Sequence, residues 1–312
     1  MESKLDKVER MLYIAFNMKS KLIHRSKLVT LLTAALTWQA FTAVADAVSD
    51  RITVSIRGHG PDVLLIPGLA TSGAVWDAIA NHLENHLRLH IIQVAGFAGS
   101  PPRANAQGRV VQPTVDAIDA YIKTNKLQTP KVIGHSLGGL MGSMLAFQHP
   151  EDVGGLMIVD SLPFFGSLFG MKDTAAAMPQ AANMRDNTLA QSQDDYAKSE
   201  TVFMHSLVKS PDGCKQATKW ALASDKSVVA RAAYEDMTTD IRPELPKIKI
   251  PVTMLYPWDV SSGFPQAATD RLYQENYVDL PNKKIIRIDD SFHFIMLDQP
   301  EKFADEVDKF LK

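Results

Sequence analysis

The sequence predicts an α/β protein, a mostly parallel sheet covered by helices on both faces, with a helical insertion late in the chain. Three observations carry that expectation. Strand-like runs alternate with helix-periodic segments over residues 51–160 and again from residue 252 to the end. The runs VLLI (63–66) and GLMIV (155–159) are continuously apolar, as strands buried on both faces are. Between Leu162 and about Leu245 no such run occurs, and the segments there have helical character.

The elements follow in order. Arg51 to Arg57 (RITVSIR) alternates polar and apolar residues, as a half-buried strand does. His59-Gly60-Pro61 turns the chain into the strand Val63 to Ile66, which Pro67-Gly68 stops. Thr71 to His86 reads as a helix, with Val75, Ile79 and Leu83 four apart. Leu87 to Val94 is the next strand, Gly96 to Pro102 (GFAGSPP) a loop, and Thr114 to Thr124 a helix. Lys131 to Gly134 reads as a strand and Leu137 to His149 as a helix ended by Pro150, followed by the strand Gly155 to Val159. Inside the insertion, Ser199 to Val208 and Gln216 to Ala223 look helical. The rhythm resumes with the strand Val252 to Tyr256, a helix near Gln266 to Asn276, the strand Lys284 to Ile288 and a last helix Pro300 to Leu311. Because crossovers are right-handed, the helices can be placed on both faces of one sheet.

Composition narrows the function. The 312 residues are 46% hydrophobic and 22% charged, with a net charge of -2, so the chain can build a large core and shows no excess charge suited to nucleic acid. The single cysteine, Cys214, cannot form an intrachain disulfide. No metal-ligand spacing appears and no cofactor is implied. His82, His86 and His90 would share one helix face if the helix continued that far, and with no carboxylate or cysteine beside them in sequence they read as a polar face.

The N-terminus has its own layout. Lys19, Lys21, Arg25 and Lys27 precede the apolar stretch Leu28 to Leu36, and the segment ends Ala43-Val44-Ala45 before Asp46. Basic, apolar and small-x-small in that order is the layout of a secretory signal peptide. The expectation is a leader over 1–17 with Met18 as the true start, a signal peptide over 18–45, and export to the periplasm or outside the cell. An uncleaved membrane anchor is the alternative, weakened by Thr37 and Gln39 within the apolar run.

The chemistry centres on KVIGHSLGG (131–139), where GHSLG fits G-x-S-x-G with a strand running in and a helix running out. A serine on so sharp a turn crowds its neighbours, which calls for glycine two residues before and after it, Gly134 and Gly138. The following helix points its N-terminus, and so its backbone N–H groups, at the reaction centre. A serine needs a base, a histidine held by a carboxylate, and this motif has the chain order serine, acid, histidine. Of the histidines after Ser136, His149 ends the elbow helix and His205 lies in the insertion. His293, in DDSFHFIMLDQP after the last strand, lies at the sheet edge where the serine emerges. Asp259, in YPWD after a strand, is the favoured acid, and Asp160, which follows GLMIV, is its rival. The oxyanion hole needs two backbone donors, assigned to the N–H groups of Leu137 and of Leu69 in the PGLATS loop.

Together VLLIPGLATSGAVWD, the GFAGS loop, VIGHSLGGLMG, MLYPWD and DDSFHFIMLDQPEKF resemble the α/β-hydrolase superfamily over about residues 51–312. The resemblance implies a hydrolase domain over 46–312, eight strands, a cap over about 163–243 inserted after strand six, and Ser136, Asp259 and His293 as the triad. Serine at the elbow implies an acyl-enzyme route, in contrast to relatives resembling epoxide hydrolases and haloalkane dehalogenases, which use aspartate there. The expected function is therefore hydrolysis of a carboxylic ester, thioester or lactone of a small to medium apolar substrate. Carbon–carbon bond hydrolysis, acyl transfer by the same triad, and ligand binding without catalysis are the alternatives. The partner expected is a small-molecule substrate, with no nucleic acid and no stable membrane span in the mature protein.

Overall fold

The computed structural model describes residues 50–312, so the expected leader and signal peptide lie outside the described residues. The strands are β1 (Ile52–Gly58), β2 (Asp62–Ile66), β3 (Arg88–Val94), β4 (Lys131–His135), β5 (Gly155–Val159), β6 (Val252–Trp258) and β7 (Lys283–Asp289). They form one sheet in the spatial order β1-β3-β2-β4-β5-β6-β7. β1 runs antiparallel to β3, and every other neighbouring pair is parallel. The resemblance implies eight strands; seven are present among the described residues, with β1 as one edge. The alternating sequence of β1 suits an edge, whereas the continuous apolar runs of β2 and β5 lie inside the sheet and are buried.

The helices are α1 (Asp77–Leu83), α2 (Val111–Thr124), α3 (Leu137–Gln148), α4 (Thr174–Ala190), α5 (Gln193–Leu207), α6 (Pro211–Ala223), α7 (Lys226–Thr238), α8 (Gln266–Asn276), the single turn α9 (Ile295–Asp298) and α10 (Pro300–Leu311). Residues 137–146 of α3 are buried all round, as expected of a helix apolar on every side. Trp76 stacks on Phe303 of α10 with ring centroids 6.1 Å apart, fixing the region of α1 to the C-terminal helix. Helices α4 to α7 all fall between β5 and β6, where the sequence predicts a helical insertion. No helix among the described residues is long and apolar enough to cross a membrane.

The helix expected over 71–86 is shorter and split. Ser72 caps a tight turn at Gly73–Trp76, and the α-helix proper ends at Leu83. The His82, His86, His90 face therefore does not exist: His82 pairs with Asp308, and His90 lies in β3. There its buried ring bonds Tyr121 Oη at 2.6 Å and Asp62 at 2.8 Å. The i, i+4, i+8 spacing had meaning only while a helix ran through it.

Candidate active site

β4 delivers the chain to Ser136, whose backbone takes φ 53° and ψ -124° before α3 begins at Leu137. That strained conformation costs about 1–3 kcal/mol for a residue with a side chain. Each large apolar side chain that α3 buries recovers about 1.5–3 kcal/mol, so the surrounding core can hold the turn. The flanking glycines are steric necessities: a Cβ on Gly134 would stand 2.2 Å from the Gly138 carbonyl oxygen, and one on Gly138 2.3 Å from that of Ile66. The PGLA loop comes equally close, since a Cβ on Gly68 would lie 3.0 Å from the Ser136 Cβ. Leu69 and Leu137 thus flank the serine, and among the described residues their N–H groups make none of the backbone hydrogen bonds of the surrounding turns.

His293 stands against this elbow. Its carbonyl oxygen lies 3.1 Å from His135 Nε2, and the two imidazole centroids are 4.5 Å apart. Burial holds the His135 ring well below the usual histidine range, so it packs as a neutral ring beneath the site. His293 Nδ1 is 2.6 Å from Asp160 Oδ2, which fixes the Nδ1–H tautomer and leaves Nε2 for another partner. The other Asp160 oxygen accepts from the Tyr273 hydroxyl of α8, and neighbouring Tyr277 donates to the Ser161 carbonyl at 2.9 Å. Burial, and then the Asp160 charge, hold the Tyr273 hydroxyl well above its usual range, so it stays a donor.

The acid favoured from the sequence, Asp259, is occupied elsewhere. Lys209 Nζ and the Ser261 hydroxyl both donate to its carboxylate, as does the Ser261 N–H at 2.7 Å. The bonds from Lys209 and Ser261 hold it down to about 2. Both aspartates follow parallel strands, but β5 lies next to β4 and β6 lies one strand further away. The structure therefore corrects the expectation: Asp160 orients His293, and Asp259 anchors the insertion.

Other bonds fasten the insertion to the same loops. Ser224 Oγ accepts from the Ala98 N–H at 2.7 Å and donates to the Ala70 carbonyl at 3.3 Å, tying α6 to the GFAGS and PGLA loops. The N–H groups of Lys209 and Ser210 donate to Asp298, which also accepts from the N–H of Phe292 at 2.8 Å. A cleft of 620 Å³ opens between α5, α6 and the His293 loop, bordered by Thr201, Cys214, Ser261 and Phe292.

Two further residues carry no local sequence signal. Tyr273 reaches Asp160 from α8, across 113 positions. Asp236 on α7 interacts electrostatically with His293, and burial pushes its carboxyl up to about 7 despite that opposing interaction. Asp119, His149 and Asp152 come together at the far end of α3, with ligand atoms within 4.8 Å of one another. Lys123 Nζ already bridges the two acids there at 2.9 and 3.4 Å, supplying the positive charge a cation would bring.

Comparison with known proteins agrees with this geometry. The chain is 37% identical over 114 residues to a pimeloyl-[acyl-carrier protein] methyl ester esterase of Aeromonas salmonicida, a match covering 36% of this chain and 43% of that protein. A protein of the same name from Aeromonas hydrophila is 24% identical over 269 residues, covering 83% of this chain and 99% of its own length. Among solved structures, a hydrolase from Pseudomonas aeruginosa PA01 superposes with a TM-score of 0.71 at 17% identity, covering 88% of this chain and 99% of that one. Residues 63–306 match the alpha/beta hydrolase family, and with the elbow, the histidine loop and the sheet order in place, the chain belongs to that family.

Proposed function

We propose that the protein is a serine carboxylic-ester hydrolase working through an acyl-enzyme, with Ser136, His293 and Asp160 as its triad. The observation that carries this reading is the 2.6 Å bond from His293 Nδ1 to Asp160, made by a histidine packed against the nucleophile elbow. His293 Nε2 takes the Ser136 hydroxyl proton as Oγ attacks the ester carbonyl. The oxyanion is held by the N–H groups of Leu69 and Leu137, the second reinforced by the α3 dipole. Nε2 then gives the proton to the departing alkoxide. Water enters, loses a proton to Nε2 and attacks the acyl carbon; the C–Oγ bond then breaks, Nε2 returns the proton to Oγ, and the acid leaves with Ser136 restored. Asp160 holds the imidazolium in place through its bond to Nδ1.

The activity named for these Aeromonas relatives, on a methyl ester, supports an ester of a small alcohol. The buried apolar side chains of the insertion, among them Met204, Val208 and Trp220, support an apolar acyl group of small to medium size. The basic-apolar-small layout of residues 18–45 supports export, which N-terminal sequencing of the mature protein checks. The test of the chemistry is a panel of p-nitrophenyl esters of increasing acyl length, with Ser136→Ala as control. Wild type turns over part of the panel, and Ser136→Ala loses at least about four orders of magnitude in kcat. Undiminished turnover in the variant would refute the mechanism.

A further inference from the structure

Asp236 is an acid without a structural task. Helix α7 turns Val228 and Ala232 inward, both fully buried, and Asp236 is the next residue in that i, i+4 row. Val228 packs against the GFAGS loop, since a Cβ on Gly96 would stand 2.8 Å from it. At its other end α7 leads to Asp240, which pairs with Phe164, while the Ile241 N–H donates to the Pro163 carbonyl at 2.8 Å. Asp236 is therefore held one helical turn from the segment that follows Asp160, on the row of α7 that packs against the GFAGS loop. The preceding residue, Glu235, has both carboxylate oxygens bonded, to the N–H groups of Val110 and Val111 at 2.7 and 3.0 Å. Asp236 is half-buried, and neither of its oxygens is bonded to any described residue nor sealed from solvent. A leucine would complete the apolar row at lower cost, because an unpaired acid near the interior is destabilising.

We infer that Asp236 is a specificity-determining residue, receiving a hydrogen-bond donor (a hydroxyl, amide or ammonium) carried by the ester substrate. This rests on the ester-hydrolase reading above. A site built around a polar partner discriminates strongly against an analogue that lacks it, because the site's own group is then left unpaired.

The test compares kcat/KM, from acid release at fixed pH, for two matched pairs: methyl 6-hydroxyhexanoate against methyl hexanoate, and 4-hydroxybutyl hexanoate against butyl hexanoate. The first pair places the donor on the acyl side and the second on the alcohol side. Wild type is expected to favour the hydroxylated member of one pair by about tenfold or more. Asp236→Leu collapses that ratio towards one, while Asp236→Asn, still an acceptor, keeps part of it. Asp236→Leu should unfold at no lower temperature than wild type, which separates lost recognition from lost folding. Turnover with the same ratios in wild type and Asp236→Leu overturns this inference alone. No turnover of any of the esters by folded wild type overturns the ester-hydrolase reading and this inference with it.

Discussion

Asp160 and Asp259 end two adjacent parallel strands, and their side chains do unlike work. Asp160 sits at φ 46° and receives His293 and Tyr273, whereas Asp259 is held by Lys209 and Ser261. The consequence is measurable. Asp160→Asn leaves one acceptor oxygen for two donors; with Tyr273 on that oxygen the amide NH2 faces His293 Nδ1 and imposes the wrong tautomer, and kcat on the best ester of the panel should fall by about 10³–10⁴-fold with KM little changed. Asp259→Asn should leave kcat within about tenfold of wild type. The reverse pattern would return the triad acid to Asp259. Tyr273 belongs to the same unit: with its hydroxyl on one Asp160 oxygen, the carboxylate can turn only its other oxygen to the histidine.

At the scale of elements, the elbow and the N-terminus of α2 show two ways of satisfying a helix end. In α3 the N–H groups of Gly139 and Leu140 turn back to the Ser136 carbonyl at 2.7 and 3.1 Å, and the Leu137 N–H makes none of the turn bonds among the described residues, beside the serine where negative charge develops in the reaction. α2 closes its own with Glu235, which takes the N–H groups of Val110 and Val111. Glu235→Ala should therefore lower stability by about 1–3 kcal/mol, seen as an earlier thermal midpoint, with little change in kcat. An unchanged midpoint would show that solvent replaces the carboxylate.

The strands, the elbow and the histidine loop could be read from the chain because each is a local pattern: an apolar run, a G-x-S-x-G turn, a histidine after the last strand. The acid could not, since MLYPWD and GLMIVD offer the same local signal. The difference lies in which strand neighbours β4, which only the assembled sheet defines. Tyr273 and Asp236 were hidden for the same reason, each meeting the site from a helix distant in sequence. The histidine row failed for an opposite reason, a spacing read through a helix that stops at Leu83.

At the scale of the molecule, the helices between β5 and β6 form a structure fastened to the loops that carry the chemistry. Lys209 to Asp259 is one fastener, Ser224 to Ala70 and Ala98 a second, and the Asp298 carboxylate a third. The first is pH-dependent. Asp259 is held near about 2, below the usual carboxylate value of about 3.9. Its contribution is fully present above about pH 4 and is lost as pH falls towards about 2, because the unfolded state then binds the proton more readily. The urea midpoint of wild type should exceed that of Asp259→Asn at about pH 7, and the gap should close by about pH 2.5. A gap that persists at low pH would show that the lysine bond contributes through packing alone.

Cys214, the chain's only thiol, is buried in α6 on the wall of the cleft. With only 6% of the residue exposed, a maleimide or aromatic disulfide reacts with it faster whenever α5 and α6 move apart. The native protein thus carries its own stopwatch, in which the labelling rate counts movements of α5 and α6. Under conditions where closing outruns labelling, that rate reads the free energy of the opening. Asp259→Asn should quicken it while Asp160→Asn leaves it alone, separating the motion of the insertion from the chemistry of the triad without any introduced probe site.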